Sequence, residues 1–157
     1  MLFIRTRNDV YLQAGKRSGA AAVELALVSP VLVMLFLGMT EMSRMMMVKV
    51  TLNDAARTGC QTGTLPGKSN QNVTDDVIRV MRNGGFDSTR FNPPSLGSIA
   101  ITVTDPGGRS VADTVTALSD SIVSVQVTIP VSSTAWITST FTSGSTSQVE
   151  TVVMKKQ

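Results

Sequence analysis

Residues Gly19 to Met39 read GAAAVELALVSPVLVMLFLGM, a near-continuous apolar run with one acid, Glu24, near its start. At about 1.5 Å of rise per residue, the stretch from Ala20 to Met39 spans roughly 30 Å as a helix. That matches the hydrocarbon thickness of a bilayer. The run is read as a membrane helix over 20–39. A basic cytoplasmic leader over 1–19 precedes it, and an amphipathic helical extension over 40–63 follows. Residues 64–157 are then left for one modest extracytoplasmic α+β domain. The expected fold class is α+β: a long N-terminal membrane and amphipathic helix, a short second helix, and a small antiparallel sheet packed on the helix extension.

Charge supports this division. The formal net charge is +3. The leader carries Arg5, Arg7, Lys16 and Arg17 against the single Asp9, so the basic character of the chain sits there. A positive flank of this kind marks the cytoplasmic side of a membrane segment. The remainder is nearly balanced and has no basic stripe, which excludes nucleic acid as a partner of the folded part. A secretory signal would have an apolar core of about 7–15 residues followed by a small-residue exit. Here the run is longer and no Ala-x-Ala exit follows it, so the apolar segment is expected to remain part of the product.

Two residues in the run are anomalous. An acid at the centre of a membrane helix costs about 2.5–3.5 kcal/mol, and less near the end. Glu24 thus either sits at the interface, where an acid suits a helix N-terminus, or awaits a positive partner in an assembly. Pro30 removes a backbone donor and crowds the carbonyl four residues back, so a kink or local unwinding is expected. Upstream, the small residues from Ser18 to Ala22 are expected to form a flexible, protease-accessible junction.

Beyond the run, Met39, Met42, Met46 and Val50 recur at helical spacing, and Met45, Val48, Leu52 and Ala55 form an adjacent row. Together they read as one broad apolar stripe, expected to serve as core against the following domain. Gly59 and Gly63, with Pro66–Gly67, are expected to stop the helix. Asn70 to Asn83 reads as a second helix, capped by Asn72 or Thr74, with Asp75 and Asp76 in its first turn and Val73, Val77, Val80 and Met81 on one face. Alternation predicts strands at Ile99–Val103 and Val123–Ile129, and more weakly at Ser145–Met154. Asp105–Gly108 reads as a turn and Arg109–Asp120 as polar loop. Ala135–Phe141 is expected to pack as an apolar lid. The three strands imply an antiparallel meander with one face solvated and the other under the long helix.

Chemistry is sparse. The chain has no histidine and a single cysteine, Cys60. Cys60 reads as a small apolar residue on a helix face. No phosphate-binding glycine loop is present, and Asp105, Asp113 and Asp120 do not have calcium-loop spacing. No metal, no cofactor and no enzymatic activity are expected.

One string carries a family resemblance: Arg17–Ser18–Gly19–Ala20–Ala21–Ala22–Val23–Glu24–Leu25–Ala26–Leu27, then Pro30, then Asp54–Ala55–Ala56–Arg57–Thr58–Gly59. It resembles the TadE-like minor pilins, or pseudopilins, of tight-adherence (Flp-type) pilus systems. The resemblance implies a prepilin peptidase that cuts between Gly19 and Ala20. Glu24 then becomes mature residue five, paired with the new α-amino group of Ala20, its own or a neighbour's. It also implies a single-pass protein of the bacterial inner membrane that works with other pilus subunits and inner-membrane assembly proteins, and that enters the pilus or stays beneath it. Major Flp pilins favour tyrosine after the glutamate; Leu25 here departs from them and leaves the minor-pilin pattern intact. The competing expectation is a signal-anchored exported domain that binds a surface ligand.

Overall fold

The computed structural model describes residues 8–86, 97–130 and 147–157, and side chains from residue 19 onward. The expected lid at Ala135–Phe141 lies outside the described residues. The chain divides into two compact units, Met1–Met42 and Ser43–Gln157. Helix α1, Asn8–Thr64, contributes to both. It includes Ser18–Ala22 without a break, where the sequence suggested a flexible junction. Apolar and small residues there have no competing turn chemistry to end a helix.

In the Ser43–Gln157 unit, α1 and helix α2 (Asn70–Asn83) pack on one face of an antiparallel sheet. Its strands are β1 (Ser98–Thr104), β2 (Ser110–Val111), β3 (Ile122–Pro130) and β4 (Ser147–Lys155), in the order β2-β1-β3-β4. The architecture is α+β. Ile101 pairs with Val125, and Val125 with Val152. This register turns Val123, Val125, Val127 and Ile129 inward together, and they are buried. The polar residues between them face outward, as period-two alternation requires.

The two apolar rows of α1 separate. Val48, Leu52 and Ala55 are buried and Met45 is partly so. Met39, Met42, Met46 and Val50 stay 58–71% exposed. The single broad core stripe expected from spacing is thus a core row beside an uncovered row. The glycines also differ from expectation. α1 runs through Gly59 and Gly63 and ends at Thr64. A Cβ at Gly59 would lie 2.6 Å from Val77 Cγ2, and one at Gly63 would lie 2.9 Å from Val123 Cγ1. These glycines let the α2 and β3 valines approach the helix backbone, and the stop falls in the following turn, with Gly67 at φ 76°.

The start of α2 is Ser69 rather than Asn72 or Thr74. Asn72 instead accepts from the Ser69 backbone N–H at 3.0 Å, the reciprocal half of a capping box. Asp75 and Asp76 lie in the second turn. Asp76 accepts from Thr62 Oγ1 at 2.6 Å and pairs with Arg79 at 2.7 Å, tying α2 to α1. Within 109–120 the structure has β2 and a 3-10 turn, Thr114–Thr116, where the sequence suggested loop throughout.

Candidate functional site

Gly19, Ala20, Glu24 and Pro30 all lie on α1, in the Met1–Met42 unit. Every described side chain from Ala20 to Thr40 is exposed except Ser29, which is half-buried. The exposed set includes Leu25, Leu27, Leu32, Met34 and Phe36. Such a surface is unfavourable in water, by about 25 cal/mol per Å² of apolar area, and it suits lipid or other helices. The stretch is long and apolar enough to cross a membrane. Glu24 is exposed on it. A Cβ at Gly19 would meet nothing within 4 Å, so packing does not require glycine there. Pro30 sits in the interior of the helix. The four residues thus lie on one helix.

In the Ser43–Gln157 unit, Cys60 is buried and its thiol donates to Val152 O at 3.0 Å. Burial pushes its pKa up, and hydrogen bonding to the backbone at Val125 partly offsets this. The thiol therefore stays neutral, as a packing residue should.

A polar node that the sequence did not announce joins three distant segments. Asn70 N–H donates to Asp113 Oδ1 at 2.8 Å, and Asn70 Nδ2 donates to Ala112 O at 2.9 Å. Thr114 N–H donates to Asn70 Oδ1 at 3.1 Å, and Thr114 Oγ1 to Lys68 O at 2.8 Å. From the C-terminal end, buried Lys156 Nζ donates to Thr114 O at 2.6 Å and Ala117 O at 3.1 Å. The Asn70 N–H, then the N–H groups of Val115 and Thr114 and the Thr114 hydroxyl, hold the Asp113 carboxyl below its usual value. Partners some 40 residues apart leave no local sequence signature.

The fold is that of a small α+β protein with, among the described residues, one helix long and apolar enough to cross a membrane. The family model described as TadE-like protein matches residues 19–61, about a quarter of the chain. The match begins on Gly19 and ends just beyond Cys60. Comparison with curated proteins and with solved structures gave no match.

Proposed function

We propose that the protein is a prepilin-like minor pilin, or pseudopilin: a structural subunit, not an enzyme, that helps assemble a tight-adherence pilus used in adhesion or secretion. It sits as a single-pass protein in the bacterial inner membrane. The basic leader stays in the cytoplasm, and the Ser43–Gln157 unit lies on the other side. One observation carries the reading. A carboxylate, Glu24, stands five residues past Gly19 on an exposed apolar helix, inside a TadE-like segment.

A prepilin peptidase cuts between Gly19 and Ala20. The new ammonium at Ala20 and the Glu24 carboxylate then pair, within one chain or between neighbours. In an apolar bundle that pairing offsets the desolvation of both charges. The exposed row of Met42, Met46 and Val50 adds contact with other pilus subunits and with inner-membrane assembly proteins.

Mass spectrometry of the protein from pilus-forming cells is expected to give an N-terminus at Ala20. Gly19→Ala is expected to abolish the cut. Because open space surrounds Gly19, that substitution leaves packing intact, so loss of the cut reports recognition by the peptidase. A product that starts at Met1, or a processed Gly19→Ala variant in piliated cells, would favour the signal-anchored exported domain instead.

A further inference from the structure

Strand β4 forms one edge of the sheet and is nine residues long. Just beyond it, Lys156 directs its backbone N–H to Ser121 O at 2.8 Å and receives Asp120 N–H on its carbonyl at 2.9 Å. Both groups thus face the β3 side. Facing alternates along an antiparallel strand. The N–H and C=O groups of Val149, Thr151 and Val153 therefore point to the edge that is open among the described residues. Their side chains stand on the outer face of the sheet, with Val149 44% and Val153 57% exposed. Natural edges are usually blunted by proline, bulges or charges. β4 has no proline; its central charge, Glu150, is paired with Lys49 at 3.6 Å, and its outward lysine, Lys155, is at its end.

Alongside this edge, α1 and β4 enclose an open groove of about 250 Å³, lined by Lys49, Val50, Asn53, Asp54 and Glu150. Lys49 Nζ lies 3.6 Å from Glu150 Oε1, so those two charges answer each other. Asp54 is exposed and leaves the groove net negative.

We propose that β4 accepts an added strand from a partner polypeptide: an extended segment whose backbone pairs with Val149, Thr151 and Val153 and whose Lys or Arg enters the groove. Strand addition supplies affinity through main-chain bonds, and the side-chain pocket supplies specificity. The aliphatic stem of the incoming residue lies on Val50 and its cation meets Asp54, a charge-assisted contact. Two nearer occupants lack this chemistry. Residues 131–146 of this chain contain no charged residue. A second β4, paired antiparallel about Thr151, would set Val152 rather than a cation opposite Glu150. The inference does not rest on the pilus reading, because it holds whether or not Ala20 becomes the N-terminus.

The test uses the full chain in lipid nanodiscs and site-resolved hydrogen exchange. The probe is a capped seven-residue peptide of alternating threonine and valine with a central lysine, and its control has a central glutamate. Without probe, the amides of Val149, Thr151 and Val153 are expected to exchange roughly a hundredfold faster than those of Glu150 and Val152. The lysine probe is expected to slow them saturably by about tenfold, and the glutamate probe to bind about tenfold more weakly. Asp54→Asn is expected to narrow that difference while the exchange of Val125 and Val127 stays unchanged, which shows the fold intact. Protection of the three edge amides before any probe is added overturns the proposal. If that protection is independent of protein concentration, the chain covers its own edge; if it falls on dilution, a second copy does. Absence of slowing at about millimolar probe, or equal slowing by both probes, overturns it as well.

Discussion

Lys155 and Lys156 are adjacent in sequence and opposite in physics. Lys155 Nζ pairs with Asp120 Oδ1 at 2.9 Å, but both side chains are about two-thirds exposed. A pair so open to water and salt is worth at most about 0.5 kcal/mol. Alternation puts Lys156 on the inner side, buried, with its ammonium on two backbone carbonyls. Lys156→Ala strips the carbonyls of Thr114 and Ala117 of that donor and is expected to cost about 2 kcal/mol. Lys155→Ala should be nearly neutral, and urea unfolding of the two variants side by side checks the contrast. Asp113 acts at the same node through pH. Its folded pKa lies below the usual carboxylate value because backbone N–H groups and the Thr114 hydroxyl bond to the anion. A depressed folded pKa means a contribution that is present above the unfolded value and lost as pH falls through the folded one. The urea midpoint of the native protein is therefore expected to drop between about pH 5 and pH 3, and that of Asp113→Asn to drop less. Equal slopes would remove Asp113 from the account.

At the scale of elements, helix α1 has two apolar rows with the same spacing and different uses. Leu52 is in the core row and Met46 in the exposed row. Leu52→Ala is expected to destabilise the folded unit by about 3 kcal/mol through the cavity it leaves. Met46→Ser is expected to change stability by less than about 0.5 kcal/mol, yet to lower the number of pili per cell. Thermal melts and electron microscopy of the same strains separate the two effects, and unchanged piliation with Met46→Ser would remove that row from assembly. The element boundaries show what a one-dimensional reading holds. Strands β1 and β3 were legible because one face is buried and one is wet, so alternation survives in the residues. The span of α2 was legible because Val73, Val77 and Met81 repeat every four, but its cap, Ser69, was not. Which Met row faces inward was not legible, since identical periodicity points to either side and the choice is made by valines on β3 and α2. For the same reason Gly59 read as a stop: the side chain it makes room for, Val77, lies far ahead in the chain. Gly19, Ala20, Glu24 and Pro30 come from one local string, so the sequence alone already puts them on one helix. The groove beside β4 was not, because Asp54 and Glu150 meet only through the fold.

For the whole molecule, the division into two units makes a claim about where the folding free energy resides. No side chain buried among the described residues precedes Val48. The node of Asn70, Asp113, Thr114 and Lys156, the Thr62–Asp76 bond and the packing at Gly59 and Gly63 all lie within Ser43–Gln157. The anchor helix contributes length and apolar surface, but none of these interactions. A chain that begins at Ser43 is therefore expected to fold cooperatively without lipid. Its unfolding free energy should match that of the same unit in the full chain in micelles to within about 1 kcal/mol. A chain that begins at Ser43 keeps Met46, Met47 and Val50, which are exposed. The fragment thus keeps an exposed apolar strip, which favours weak, concentration-dependent association. Urea unfolding of the fragment, followed both by circular dichroism and by exchange of the Val125 and Val127 amides, tests the claim. Coincident transitions would place the folding information in the second unit, whereas slow, uniform loss of signal with no protected amides would mean that the fold of Ser43–Gln157 needs the residues before it.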